Sequence, residues 1–356
     1  MDALKPGSTI GILGGGQLGR MLAVAAAQLG LRVIGYAPPR DNVAASVCTE
    51  FFAKGWGDIE ALSAFTSQCD AVTWEFENVP LSTIASIPAE ILRPGTKALE
   101  TAQDRLNEKR FVETLGGRPA PYAAVESKED LARAIEQVGT PGILKTRRDG
   151  YDGKGQWRIA SAHEASAVRF PGVACVYERF VDFDAEYSVI LVRGADGEVR
   201  FWDSPENVHE DAMLAVSSLP PSSLVARQIE AAREIARRTA DALQYVGVLT
   251  VEFFATPQGP IFNEMAPRVH NSGHWTIEAA ATSQFENHIR AIAGLPLGST
   301  ETRFERVEMR NIVGARANIA FEILGEDGEA HVHHYGKIEA REGRKMGHVT
   351  RAGSAK

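Results

Sequence analysis

Cysteine is scarce. The 356 residues hold three, Cys48, Cys69 and Cys175; they are odd in number, far apart and without metal-ligand spacing. That excludes a disulfide-stapled scaffold and a zinc ribbon and fits a reducing cytoplasm. No apolar stretch approaches the ~18–20 residues that cross a bilayer, and the start, MDALKPGSTIGILGGG, has too short an apolar run for a signal peptide. Neither secretion nor a membrane is expected. A basic excess is missing too: Lys and Arg number 38 against 46 Asp and Glu, a formal charge of −8, so no overall field recruits nucleic acid. Repeats, heptads and low-complexity segments are absent. What remains is an ordinary globular composition, 44% hydrophobic and 24% charged, in a chain longer than one hydrophobic core, so two or three domains are expected.

A further absence limits the N-terminal segment. TIGILGGGQLGRMLAVAAAQLGLRVIGY reads as strand, glycine turn, helix and strand, with Gly14, Gly16 and Gly19 in G-x-G-x-x-G register. A dinucleotide site needs an acidic residue at the end of the next strand to hold the ribose. That strand ends instead in Tyr36, Ala37 and two prolines, and Asp41 comes too late. The turn is therefore structural or meets a different anionic ligand. The α/β rhythm continues through ASVCTEFFAKGW, DIEALSAFTSQC and DAVTWEF. Ligands of open α/β sheets bind beyond the carboxyl ends of strands, which makes Glu75 and Glu77 in TWEFENVP candidates to accept a hydrogen bond from a substrate; either also suits a helix cap. LRPGTKALE reads as a domain junction, followed by the cationic amphipathic helix AQDRLNEKRFVETLGG.

From about residue 120 a smaller unit follows. Its strand GILKT carries Lys145, which must send its ammonium to an anion or to solvent. In the next loop Gly150, Gly153 and Gly155 remove side-chain bulk while Tyr151, Asp152 and Lys154 supply polar groups, a composition suited to closing over a polyphosphate. The P-loop spacing G-x-x-x-x-G-K-[ST] is absent, which excludes that fold. In YERFVDFDAEYSVILVRG, Glu178 sits at a strand end, a hinge position that offers backbone groups to a base, and Glu186 follows eight residues later. His209, alone in a loop-rich stretch, reads as structural. In HVHH, neighbouring histidines of a strand point to opposite faces and no cysteine or carboxylate completes a site, so His331, His333 and His334 are not expected to hold a metal.

The stretch VLTVEFFATPQGPIFNEMAPRVHNSGHWT contains two strand-like runs around a turn. A hairpin centred near Gln258 sets Glu252 opposite Glu264 and Phe254 opposite Phe262. Opposed like charges destabilise a sheet, and carboxylates among Val, Phe, Ile and Met need a positive partner. A magnesium ion shared with substrate phosphates answers that need; two solvated glutamates on an edge hairpin are the simpler alternative.

GGGQLGRM, LKTRRDGYDGKGQW, YERFVDFDAEYS, VEFF with NEMAPRVHNSGHWT, and GRKMGH together resemble the ATP-grasp superfamily. More narrowly, from about residue 8 to about 351, they resemble its 5-(carboxyamino)imidazole ribonucleotide synthase family, of de novo purine synthesis. The resemblance implies an α/β and α+β multidomain chain, an ATP-grasp fold with an N-terminal Rossmann-like (pre-ATP-grasp) domain. The divisions it implies are a substrate domain over 1–98, a small lid over 99–175, an ATP-grasp C subdomain with the metal site over 176–300, and a segment over 301–356 that completes the substrate site. It implies an ATP-dependent carboxylation of aminoimidazole ribonucleotide by bicarbonate, in a cytoplasmic homodimer that uses magnesium, one ion or two.

By the same resemblance Arg105 and Lys145 hold phosphates, and the loop of Gly150, Tyr151, Asp152, Gly153, Lys154, Gly155 and Gln156 covers them. Glu178, Arg179, Phe180 and Val181, with Glu186 and His209, receive adenine and ribose, while Glu252 and Glu264, with Asn263 beside them, carry the metal. Arg268, His270 and Ser272 bind bicarbonate and carboxyphosphate. Arg344 and Lys345 take the ribonucleotide phosphate, and Gln17, Leu18, Glu75, Tyr151, Asp152 and Lys154 surround the aminoimidazole, with Asp152 relaying the amine proton. The groups expected to act in the chemistry are Asp152, Lys154, Arg268 and Lys345. One departure is the end of the chain soon after GRKMGHVTRAG, where relatives often continue through a helical segment; it bears on packing of the C-terminal edge. The rival readings are another ATP-grasp ligase using formate or biotin, an NAD-dependent oxidoreductase, and a nucleotide-binding regulator without turnover.

Overall fold

Three sheets organise the chain. The computed structural model describes residues 2–40, 42–150, 155–165, 168, 170–314 and 319–355. In the first sheet β1 (Thr9–Leu13), β2 (Arg32–Ala37), β3 (Glu50–Ala53) and β4 (Ala71–Trp74) run parallel in the order β3-β2-β1-β4. β1 and β4 are buried throughout, as strands covered on both faces must be, hence their unbroken apolar runs. The helix Gln17–Gln28 places Leu18, Met21, Leu22, Ala25 and Ala26 at three- and four-residue intervals, buried, and packs on the helix Gln284–Ile292. The carboxyl ends of β1 and β4 thus open beside the rest of the chain.

A second, antiparallel sheet has the order β5-β8-β6-β7, from β5 (Tyr122–Val125), β6 (Gly142–Thr146), β7 (Gln156–Ile159) and β8 (Cys175–Arg179). The helix Lys128–Val138 covers it, its start capped by Ser127, whose hydroxyl accepts from the Asp130 amide. The third sheet is the large one: β9 (Ala185–Arg193), β10 (Val199–Phe201), β11 (Glu206–Glu210), β12 (Met213–Leu219), β13 (Gly247–Thr256), β14 (Gly259–Ala266), β15 (Phe304–Val313), β16 (His331–His334) and β17 (Lys345–Ala355). Its order is β14-β13-β9-β11-β12-β15-β17-β16, with β10 on β9. Residues beyond 300 therefore continue the sheet that carries the hairpin, and β17 lies between β15 and β16, so the edge at this end is β16.

Two buried contacts lock β4 against the large unit. The Trp74 indole N–H donates to the Pro267 carbonyl at 3.0 Å. The Thr73 hydroxyl meets His288 Nε2 at 2.8 Å, while His288 Nδ1 accepts from the Val248 amide; that acceptor role leaves the ring proton on Nε2, facing Thr73. No described helix is long and apolar enough to cross a membrane.

Candidate active site

The glycine turn is filled by the protein's own carboxylate. Glu75, one residue past β4, accepts from the Gly16 amide at 2.8 Å and the Gly19 amide at 3.2 Å. A helix N-terminus attracts an anion, and here the anion is a side chain. Gly14 has φ +121°, and a Cβ there would sit 2.4 Å from Glu75 Cγ. The turn is glycine-rich because Glu75 occupies it, which is the physical reason that it does not serve a dinucleotide. Burial raises the Glu75 carboxyl above its usual range, against the two amide bonds.

Cations gather on the helix Arg105–Thr114 and on β6. Asp104 caps that helix by accepting from the Leu106 and Asn107 amides, and it also grips Arg147, at 3.0 and 2.8 Å, at the root of the glycine loop. Arg105 donates to Glu264 at 2.8 Å and to the Gly150 carbonyl at 3.2 Å. Lys145, directed to an anion as its apolar strand requires, finds Glu178 Oε2 at 3.0 Å, and Lys109 shares the same oxygen at 3.2 Å. Burial works against ionisation of Glu178, yet the two ammoniums hold its carboxyl down to about 2. One carboxylate between two lysines leaves a positive balance beside Arg105, a setting for phosphate. Lys109 is 1% exposed and was not singled out in the sequence, where it reads as the solvated face of a charged helix. The one available signal was its i, i+4 spacing from Arg105.

The hairpin brings Glu252 directly opposite Glu264, as the sequence predicts. Its second expected pair is corrected: Phe254 faces Ile261, and Phe262 faces Phe253. A bulge at Asn263 is the cause, because one extra residue on β14 shifts the register between the carboxylate pair and the turn. Withdrawal from water and proximity to Glu264 push the Glu252 carboxyl up. At Glu264 the Arg105 guanidinium outweighs the same withdrawal and holds the carboxyl low. Glu108, also not anticipated, accepts from the Met265 amide at 2.6 Å, and burial followed by Glu264 raises it to about 8. Glu186 pairs with His209, and both lie close enough to Glu252 to influence its ionisation. The structure therefore gives His209 a carboxylate partner.

Arg268, just past the hairpin, forms a two-point pair with Glu77. His270 Nδ1 accepts from the Ser272 amide at 3.3 Å and meets the Ser272 hydroxyl at 2.8 Å, so the neutral ring carries its proton on Nε2, 3.2 Å from Glu252. Ser272 is fully buried, and its hydroxyl faces this imidazole. Burial, then Arg268, keeps His270 well below the usual histidine range.

A cavity of about 600 Å³ joins several of these groups. Gln17 and Leu18 line it from the first helix and Glu75 from beyond β4, Arg105 and Gly150 from the side of the second sheet, Glu252, Glu264, Arg268 and His270 from the hairpin and the segment after it, and Arg344 and Lys345 from the start of β17. Lys337, not anticipated either, lines it as well and donates to the Lys345 carbonyl. Lys145, Glu178, Glu186, His209, Asn263 and Ser272 stand outside its lining. Gly155 and Gln156 lie at the start of β7, the latter paired with Lys145. At the hinge, Arg179 turns back to the Val138 carbonyl, Phe180 packs under the Arg158 guanidinium, and Val181 follows. Tyr151, Asp152, Gly153 and Lys154 lie outside the described residues.

The histidine-rich strand needs a correction. Glu278 supplies the carboxylate that the sequence did not reveal, 2.7 Å from His333 Nε2 and 3.4 Å from His331 Nδ1. Among the described residues no group of three or more His, Cys, Asp or Glu side chains is placed to hold a metal alone. Burial pushes the Cys48 thiol up to about 11 and, with Asp70, the Cys69 thiol up to about 12.

Three family models match the chain: a ribonucleotide synthetase preATP-grasp domain over residues 7–103, an ATP-grasp domain over 110–285, and a phosphoribosylaminoimidazole carboxylase C-terminal domain over 308–356. The N5-carboxyaminoimidazole ribonucleotide synthase of Brucella melitensis is 47% identical over 355 residues, 98% of this chain and 97% of that one. The Pseudomonas aeruginosa enzyme of the same name is 43% identical, over 96% and 93%. Among solved structures, the N5-carboxyaminoimidazole ribonucleotide synthetase of Thermus thermophilus superposes with a TM-score of 0.89 at 44% identity, covering 97% of this chain and 93% of that one. The Aspergillus clavatus N5-carboxyaminoimidazole synthase, in complex with ADP and 5-aminoimidazole ribonucleotide, gives 0.86 at 31% identity, over 98% and 94%.

Proposed function

We infer the course of the reaction from the premise that this chain belongs to the N5-carboxyaminoimidazole ribonucleotide synthase family of ATP-grasp ligases. It is an ATP-dependent carbon–nitrogen ligase of purine biosynthesis that carboxylates the exocyclic amine of 5-aminoimidazole ribonucleotide and releases ADP and phosphate. In our reading a bicarbonate oxygen attacks the γ-phosphorus, ADP departs, and carboxyphosphate forms. Cleavage of its carbon–oxygen bond gives carbon dioxide and phosphate. The amine lone pair then forms the new carbon–nitrogen bond, and the amine proton leaves, through Asp152.

Phosphoryl transfer is mostly positioning and electrostatics. Arg105 and Lys145 hold the phosphates, with Lys109 adding charge through the shared Glu178, and the loop from Gly150 to Gln156 covers them. Glu178 to Val181, Glu186 and His209 receive the base and ribose. Glu252, Glu264 and Asn263 would hold magnesium: opposed carboxylates suit a cation that would take its remaining ligands from phosphate and water. When bound, it neutralises charge that builds on the phosphates. Arg268 and His270, the latter held by Ser272, take bicarbonate by charge-assisted hydrogen bonds. Arg344 and Lys345 hold the ribonucleotide phosphate, and Gln17, Leu18, Glu75, Tyr151 and Lys154 its aminoimidazole. The working divisions are 1–98, 99–175, 176–300 and 301–356, and the assembly is a cytoplasmic homodimer, the dimer being testable by sedimentation.

The observation that carries this reading is the Glu252 and Glu264 pair in one cavity with Arg105, Arg268 and Lys345. Its test is ADP release with each substrate omitted in turn. Turnover that requires both bicarbonate and aminoimidazole ribonucleotide is expected. Release driven by formate or biotin overturns it.

A further inference from the structure

Glu75 and Glu77 leave β4 on opposite courses, the first into the glycine turn and the second across to the hairpin side of the cavity. Glu77 Oε1 accepts from Arg268 Nη2 at 2.9 Å and Oε2 from Nε. Its backbone is fixed as well: the Gln103 amide donates to the Glu77 carbonyl at 2.8 Å and to the Val79 carbonyl at 2.8 Å. On the other partner, Pro267 is tied to Trp74, and Arg268 Nη1 donates to the Val269 carbonyl at 3.1 Å.

A guanidinium has five N–H donors in a rigid plane. Glu77 uses two, along the edge formed by Nε and Nη2, and Val269 uses one. Two remain, one on each terminal nitrogen. One N–H of each terminal nitrogen forms the end-on fork, the edge that grips an oxyanion at two points. Side chains at 16% exposure for Arg268 and 26% for Glu77 keep this geometry partly shielded from water. We propose that Glu77 is a positioning residue that sets the plane of Arg268, so that the end-on fork faces the bicarbonate-derived oxyanion. The proposal rests on the assignment of that oxyanion to Arg268.

The test compares Glu77→Gln, Glu77→Asp, Arg268→Ala and the Glu77→Gln/Arg268→Ala double variant, with thermal melting and ATP titration as controls. Glu77→Gln presents an amide N–H to a donor edge and frees the fork to rotate. Its kcat/KM for bicarbonate is expected to fall about tenfold or more, with ATP affinity within about twofold. Glu77→Asp, which retains the charge, recovers part of the loss. In the Arg268→Ala background Glu77→Gln costs nothing further. A folded Glu77→Gln enzyme with unchanged kcat/KM for bicarbonate, or with the same loss in both backgrounds, overturns the positioning role while Arg268 keeps its own. Unchanged bicarbonate kinetics in Arg268→Ala overturn the oxyanion assignment and the proposal with it.

Discussion

Glu264 stands opposite Glu252 and against Arg105, so one carboxylate serves two potential cations. Glu264→Gln keeps the volume and a hydrogen bond to Arg105 but removes the charge. It is expected to lower magnesium-dependent turnover by roughly a hundredfold or more without moving the melting temperature appreciably; near-normal ADP release would remove the metal role. Lys345 lines the same cavity with Arg344, near enough to Glu252 and His270 to influence their ionisation. Lys345→Ala is expected to raise the KM for aminoimidazole ribonucleotide more than that for ATP, and an effect confined to ATP would reassign it. At this scale the legible residues were those in unusual company, a lysine in an apolar strand or glutamates in an apolar hairpin. Lys109 and Glu108 stayed hidden because on a charged helix a buried polar side chain looks the same as a solvated one. Only contact with Glu178 and with the Met265 amide separates the two cases.

For single elements the glycine turn is the clearest lesson. Its spacing matches a dinucleotide fingerprint, and the missing ribose acid argued against that use, but what occupies it was unreadable because Glu75 lies 59 residues from Gly16. Gly14→Ala forces a side chain into φ +121° and against Glu75. Expected is a loss of about 2 kcal/mol, seen as a lower urea midpoint, with weaker ribonucleotide binding as Glu75 shifts; an unchanged midpoint would show that the turn tolerates a Cβ. The hairpin carries a similar lesson on a smaller scale. A symmetric turn predicts one register along its whole length, whereas the bulge at Asn263 keeps the carboxylate pair and changes the phenylalanine pair.

Across the whole molecule, the first sheet and the large unit meet through Thr73 and His288. Burial lowers His288 to about 3 from an ordinary 6.5. The fold holds the neutral ring, so below pH 6.5 the unfolded chain binds a proton that the native state refuses, and stability falls as pH falls. Each such group contributes a slope of about 1.4 kcal/mol per pH unit in that window. His288→Gln removes this one proton. Relative to the parent, its stability loss between pH 7.5 and 5.0 should shrink by about 2 kcal/mol, measured by urea unfolding at both pH values. His209, raised by Glu186, titrates with the opposite sign, and comparison with the variant cancels it. An equal loss in both proteins would mean that His288 is protonated in the fold.

By itself the sequence determined the parallel α/β start, the strand lysine and the opposed glutamates, since these follow from local periodicity and from the cost of placing charge among apolar neighbours. Tertiary structure alone decided which charges meet. Glu75 in the glycine turn, Lys109 beside Lys145 on Glu178, Glu77 on Arg268 and Glu278 on the strand histidines are all pairings between segments distant in the chain. Coulomb attraction and hydrogen bonding choose partners by proximity in space, and that proximity exists only after the three sheets have packed.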